Sequence, residues 1–338
     1  MKIAFFEAKE SEKKYLKKRI KNSFLKFYSK PLTSANAGEI RDFDVVCVFI
    51  YSKIDRQMLK DLPELKLVVT RSTGFDHIDL KECAKRKIKV SNVPFYGENT
   101  VAEHTFALIL SLSRNIHKSY VRTLRNDFTI DGLMGFDIKG KTLGIVGAGR
   151  IGLHVARIAK GFGMNILVFD VNQNKFLAEV MGFEYASFDD LLKRSDIITL
   201  HVPHNKHTHH LINKDTIRSI KKGAILINTA RGGVVDTDAL IEAVDKKILS
   251  GVGIDVLEGE DLIKEEKQLL HDSKNPEVLA DIVKDHILLG KDNVVFTPHI
   301  AFYSREALER ITETTAQNII SFIDGNPQNL VSYDPSCA

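Results

Sequence analysis

The chain has 338 residues, 43% hydrophobic and 27% charged, the proportions of an ordinary folded protein with length enough for two domains. A net charge of +4 is mild over that length, so bulk electrostatics calls for neither a nucleic acid nor a membrane surface and suits a small anionic partner. Cys47, Cys83 and Cys337 stand far apart with no CxxC spacing, which argues against a disulfide framework and a thiolate metal site and fits a reducing, cytoplasmic setting.

The apolar run at residues 3–6 is too short for a signal-peptide core, and no later run is long enough to span a bilayer. From there, two stretches alternate strand-like apolar runs with helical patterns, the mark of parallel α/β units. In the first, residues 3–6, 45–50 and 67–70 read as buried strands. Residues 11–22 read as a helix whose dry face is Leu16, Ile20 and Phe24. Its lysines, Lys13, Lys14, Lys17, Lys18 and Lys21, are then the wet face of that helix and not a nucleic-acid patch.

The second stretch starts after Asn92-Val93-Pro94 with a helix over residues 101–117 and a strand over 142–146. Further strands are predicted at 166–170, 196–202, 224–228, 251–256 and 294–297, which makes six, as in a dinucleotide-binding sheet. Residues 258–292 are too long for a plain connection and are read as holding helices, with Leu269-Leu270 and residues 278–283 as apolar faces. Residues 304–324 form a last helix, marked by Ala307, Ile311, Thr315, Ile319 and Phe322, expected to return to the first domain. The predicted fold class is α/β with two doubly wound parallel sheets.

Gly147-Ala148-Gly149-Arg150-Ile151-Gly152 is a GxGxxG run placed directly after a strand and at the opening of a helix. Gly147 permits the tight turn, Gly149 lets a pyrophosphate approach the backbone, and Gly152 lets helix and strand pack closely, while the helix start offers amide donors. Asp170 ends the next apolar run, where a carboxylate accepts hydrogen bonds from the adenosine ribose hydroxyls and repels a 2′-phosphate, so NAD is expected over NADP. The plainer alternative for Asp170 is a helix cap.

Three further motifs follow: Asn228-Thr229-Ala230-Arg231-Gly232-Gly233, Gly253-Ile254-Asp255-Val256-Leu257-Glu258-Gly259-Glu260 and Thr297-Pro298-His299-Ile300-Ala301. Together with Arg71-Ser72-Thr73-Gly74-Phe75-Asp76, they make the chain resemble the D-isomer-specific 2-hydroxyacid dehydrogenases nearly end to end. Val93-Pro94-Phe95-Tyr96, the long segment after Glu260 and His299-Ile300-Ala301-Phe302-Tyr303 make it most similar to the D-lactate dehydrogenase branch.

The resemblance implies a flavodoxin-like substrate domain from residues 1–99 and 300–338, with a Rossmann NAD domain over 100–299. It implies NAD as cofactor and reversible reduction of a small 2-keto acid, pyruvate above others, to the D-hydroxy acid. D-2-hydroxyisocaproate-type and glyoxylate or hydroxypyruvate enzymes remain alternatives, as does an NAD-sensing scaffold on the same fold. Such chemistry needs a cation to hold the carboxylate and polarise the carbonyl, and a proton donor for the oxygen as hydride reaches C2. Arg231 supplies a planar fork at a strand end, and His299 an imidazole at another. Read alone, Arg231 could be a surface arginine, His299 a satisfied buried histidine and Glu260 a solvated charge; the resemblance makes Glu260 the partner of His299, raising its pKa.

By the same resemblance the substrate carboxylate sits on amides of Thr73 and Gly74, in an interdomain site whose pocket Tyr96 and Phe302 line. His201, Val202, Pro203, Thr208, Thr229, Ala230 and Asp255 join the glycine loop in binding the cofactor, and a homodimer forms through the helix at 101–117. No metal is expected. His201, His204, His207, His209 and His210 crowd together, but no thiolate, HExxH or helical i, i+4 face accompanies them.

Overall fold

The computed structural model describes residues 1–258 and 276–333. The chain forms two compact units, one of Met1–Tyr96 with Ser304–Ala338 and one of Gly97–Tyr303.

In the first unit, β1 (Lys2–Phe5), β2 (Phe24–Phe27), β3 (Val45–Val48), β4 (Leu67–Thr70) and β5 (Lys89–Ser91) form one sheet in the order β2-β1-β3-β4-β5, with every pairing parallel. This is the flavodoxin-like order. The three strands read from the sequence are its interior: β3 and β4 are buried at every position, as a strand covered on both faces must be. The edge strands β2 and β5 lack such a run. Phe24 therefore departs from its predicted place on the helix: helix Glu10–Arg19 stops before it, the backbone turns through Asn22 at φ 58°, and Phe24 opens β2 with its side chain exposed. Leu16 and Ile20 do face the core, where they join Ile3, Phe5, Ala316 and Ile319, so helix Arg305–Ile323 packs on this unit's sheet.

In the second unit, β6 (Thr142–Val146), β7 (Asn165–Phe169), β8 (Glu184–Tyr185), β9 (Ile197–Leu200), β10 (Ala224–Asn228), β11 (Leu249–Ile254) and β12 (Val294–Phe296) form a parallel sheet in the order β12-β11-β10-β9-β6-β7-β8. The seventh strand, β8, is a two-residue edge too short to show as a pattern. Strand order reverses between β6 and β9, and open α/β sheets bind ligands beyond the carboxyl ends of their strands at such a point. The helix predicted over 101–117 is two: Glu98–Ser113 and Ile116–Leu124, broken where Asn115 takes the left-handed conformation at φ 50°. Ala102, Phe106 and Ile109 of the first bury against Leu143 and Ile145 of β6. Of the long connection, helix Pro276–Leu289 is seen; it buries Leu288, whereas Val283, expected on an apolar face, is exposed. Leu269 and Leu270 lie outside the described residues.

Candidate active site

The turn after β6 has no room for a side chain at its first and last glycines. Gly147 sits at φ 101°, and a Cβ there would lie 2.5 Å from the His201 carbonyl oxygen; one on Gly152 would lie 2.0 Å from the Gly147 oxygen. Gly149 instead faces open space, with nothing within 4 Å. It caps helix Arg150–Gly161 without a side-chain hydrogen bond, and no acidic residue stands in the first turn. A cradle of this kind, open at one glycine above an uncapped helix start, fits an anionic diphosphate.

Asp170 closes the cradle from β7. Its Oδ2 accepts from the Ala148 amide at 2.6 Å and its Oδ1 from the Asn172 amide at 2.7 Å. It caps no helix; it ties the glycine loop to the end of β7, leaving a half-buried carboxylate beside it. Arg150 extends outward, its Nη1 3.6 Å from Glu98 Oε1, while Ile151 packs into the core.

Across the sheet reversal, His201 follows β9. Its Nε2 lies 2.9 Å from Thr199 Oγ1, its Nδ1 is buried without a partner, and burial pushes the imidazole down to about 3, so the ring is neutral. Val202 lies against Gly147. The Thr208 hydroxyl donates to Pro203 O at 2.5 Å and accepts from the Asn205 amide at 2.9 Å, so it is spent on its own turn.

Arg231 and His299 stand beyond the ends of β10 and β12, the two strands that flank β11. After β10, Asn228 staples the turn: its Oδ1 accepts from the Ala230 amide and its Nδ2 donates to Arg231 O, both at 3.0 Å. Arg231 is half-buried, its Nη1 donating to Ala230 O at 2.8 Å. Thr229 is buried, its hydroxyl 3.1 Å from that of Thr105. Gly232 touches the loop after β11 so closely that a Cβ would lie 1.9 Å from Leu257 O. Glu260, two residues past Glu258, lies outside the described residues.

The loop after β12 hangs on one buried carboxylate. Asp255 Oδ1 accepts from Thr297 Oγ1 at 2.5 Å and from the Ile300 amide at 2.9 Å; Oδ2 accepts from the Ala301 amide at 2.9 Å. His299 is thereby held between bound neighbours, at φ 54°. Its own amide donates to Asp255 O at 2.9 Å, and its ring meets Phe302 edge-on, centroids 6.3 Å apart. His104 Nε2 reaches Thr297 Oγ1 at 2.9 Å. Because Thr297 gives its only proton to the carboxylate, the proton in the His104 bond must come from Nε2. Burial lowers the pKa of His104, against the pull of Asp255 upward.

The residues of the first unit expected to meet substrate follow a braced loop. Ser72 Oγ donates to Gly74 O at 2.6 Å, Thr73 Oγ1 to Val93 O at 2.9 Å, and Asn92 Nδ2 to Thr73 O at 2.8 Å. Arg71, buried, anchors its start through Phe6 O, Glu7 O and Glu12. The hydroxyls and carbonyls are thus committed, and the Thr73 and Gly74 amides take no partner among the described residues. Tyr96 is half-buried, its carbonyl accepting from Arg310 Nε at 2.6 Å.

Of the residues expected from sequence, the second unit brings together the glycine loop with Asp170 and His201, and separately Asp255, His299 and Phe302; Arg231 stands on the loop after β10, and Thr73, Gly74 and Tyr96 belong to the first unit. Asn228, Gly232, His104 and Thr297 were not singled out. Asn228 and Thr297 open the motifs they brace, which is a signal; His104 sits inside an apolar helix pattern and has none.

A doubly wound sheet with a diphosphate cradle, and an arginine and a histidine beyond the ends of the two strands that flank β11, describes a nucleotide-dependent oxidoreductase. Residues 106–301 match the family model "D-isomer specific 2-hydroxyacid dehydrogenase, NAD binding domain". The chain is similar to the D-lactate dehydrogenase of Escherichia coli (36% identical, covering 98% of this chain and 100% of that one). It is also similar to the glyoxylate reductase of Thermococcus litoralis (38%, covering 88% and 86%). Among solved structures, the D-lactate dehydrogenase of Aquifex aeolicus complexed with NAD and lactic acid aligns at 38% identity and a TM-score of 0.87, covering 98% and 99%. The chain belongs to the D-isomer-specific 2-hydroxyacid dehydrogenase family and is an NAD-dependent oxidoreductase.

Proposed function

We propose that this enzyme reduces pyruvate to D-lactate, reversibly. The observation that carries the reading is the pair of braced loops beyond β10 and β12, which hold a guanidinium and an imidazole past the carboxyl ends of the two strands that flank β11. Bound NADH supplies the hydride. Arg231 holds the keto acid and polarises its carbonyl, and His299 gives the proton to the oxygen or takes it back from the hydroxy acid. Glu260 partners the imidazole. Thr73 and Gly74 offer amides to the carboxylate, and Tyr96 and Phe302 set the room for the side chain. Gly147, Gly149, Arg150, Ile151, Gly152 and Asp170 bind the diphosphate and adenosine ribose. His201, Val202, Pro203, Thr208, Thr229 and Ala230 flank the rest of the cofactor, Thr208 through atoms other than its committed hydroxyl.

The likeness to a glyoxylate reductase favours glyoxylate as the second reading. A panel of pyruvate, 2-oxobutyrate, 2-oxoisocaproate, glyoxylate and hydroxypyruvate with NADH decides between them. The highest kcat/KM is expected for pyruvate; a higher value for glyoxylate replaces the first reading with the second. His299→Ala should abolish turnover while NADH still binds, and unchanged turnover removes His299 from the proton transfer.

The working form is a cytoplasmic homodimer. Support for the dimer comes from the segment after the Asn115 break, where Tyr120, Leu124, Phe128, Ile130 and Met134 are all exposed. An apolar run of that size on one arm is what a second copy would cover. Helix Glu98–Ser113, by contrast, spends its apolar side within its own unit.

A further inference from the structure

The histidine-rich turn after β9 folds back on itself. In sequence its rings share no helical face, yet His209, His210 and Glu258 each present one ligand atom within 4.8 Å of the others. His210 Nε2 lies 2.7 Å from Glu258 Oε1, and His204 Nε2 lies 3.1 Å from His209 Nδ1. The His209 and His210 rings stack with centroids 3.9 Å apart, and His204 follows at 5.3 Å. Two imidazoles and a carboxylate thus converge from two loops, with a third imidazole, His204, against His209.

We infer that His204, His209, His210 and Glu258 form a binding site for a zinc-class divalent ion, outside the hydride-transfer machinery. A tetrahedral ion with ligand bonds of about 2.0–2.1 Å sets its ligand atoms roughly 3.3–3.4 Å apart. The two measured pairs are within about 0.7 Å of that spacing; the remaining atoms of His209, His210 and Glu258, within 4.8 Å of one another, must close by up to about 1.5 Å, and His204 must turn in beside His209. The donor set is imidazole and carboxylate with no thiolate, which suits Zn²⁺, Ni²⁺ or Cu²⁺ far better than Mg²⁺ or Ca²⁺.

Two of the ligands have a firm base. The His210 amide donates to Gly233 O at 2.9 Å and its carbonyl accepts from Asn213 Nδ2 at 3.0 Å. Glu258 stands on the chain just beyond β11. Gly233 also makes space for the third: a Cβ there would lie 2.8 Å from His204 Nε2. His204 and His209 are exposed and free to swing toward an ion held by the firmer pair. Binding requires all three rings to offer a lone pair, so the bonds His204–His209 and His210–Glu258 are exchanged for bonds to the metal.

The test uses full-length, tag-free protein stripped with a chelator, titrated with Zn²⁺ against a chromogenic competitor and weighed by native mass spectrometry. One zinc per chain is expected. A His204→Ala, His209→Ala double variant should bind at least tenfold more weakly, and Glu258→Gln likewise. In metal-free buffer the double variant should keep wild-type turnover and melting temperature, so lost binding is not lost folding. Co²⁺ in place of zinc should give the intense visible bands of a tetrahedral site. No binding by the wild type at micromolar zinc, binding unchanged in the double variant, or only the weak bands of octahedral Co²⁺ would overturn the assignment.

Discussion

Replacing Asp255 by Asn tests whether the carboxylate serves the catalytic loop or the cofactor. The side chains have the same shape, but Asp255 accepts three hydrogen bonds, from Thr297 Oγ1 and the Ile300 amide on one oxygen and from the Ala301 amide on the other. An asparagine has one accepting oxygen; whichever way it turns, its NH₂ faces at least one buried donor. The loss is at least one charge-assisted bond, about 1.5–3 kcal/mol, plus a stranded donor, about 1–3 kcal/mol, or roughly 2.5–6 kcal/mol together. His299 adds to the drive, because a non-glycine residue in the left-handed region is held there at a cost of about 1–2 kcal/mol.

At about 1.4 kcal/mol per decade, a shift of that size takes the loop out of its competent conformation in most molecules. For Asp255→Asn we expect kcat for 2-keto acid reduction to fall about 100-fold or more, while the Kd for NADH, measured by fluorescence, moves less than about threefold. A kcat within threefold of wild type would refute the dependence of His299 on this carboxylate. A tenfold weaker NADH complex with kcat intact would instead make Asp255 a cofactor ligand, as the family resemblance alone suggests.

Gly232→Ala places a Cβ 1.9 Å from Leu257 O, so the Arg231 loop must move; keto-acid turnover should drop at least about 100-fold, and near-normal kinetics would show that Arg231 tolerates the displacement. His201 has its pKa depressed to about 3 from 6.5, so the folded chain refuses a proton that the unfolded chain takes up, and stability present above about pH 6.5 is lost as pH falls toward 3. Urea unfolding of His201→Gln between pH 7 and pH 5 should show a shallower acid loss than wild type, by up to about 1.4 kcal/mol per pH unit, and an identical slope would mean that the ring charges in the native state. If the proposed dimer forms through this arm, Leu124→Asp, at a side chain 67% exposed, should give a folded monomer by light scattering; a dimeric mass unchanged from wild type places the interface elsewhere.

How far the sequence speaks depends on whether the signal is local. Strands β3, β4, β6 and β10 are unbroken apolar runs because both faces are covered, and any such run shows itself. Edge strands β2, β5 and β8 carry no such demand, and Phe24 was assigned to a helix because one apolar residue fits a helical period as well as a strand start. The break at Asn115 turns on a single left-handed residue inside a continuous apolar pattern. Gly147, Gly149 and Gly152 were legible for the same local reason: each answers to a backbone constraint within its own turn.

Asp255 was visible as a motif letter, but its work was not, since that depends on donors more than forty residues away, at Thr297, Ile300 and Ala301. The same holds for the histidine turn, where side chains with no common helical face converge because the backbone reverses after Pro203 and Glu258 arrives from another strand. Motif spacing therefore reports which residues a reaction needs, and tertiary hydrogen bonds report what holds them. Arg231 and His299 belong to the first kind; Asn228, Asp255 and His104 belong to the second, and substitutions there should disturb turnover without touching the substrate.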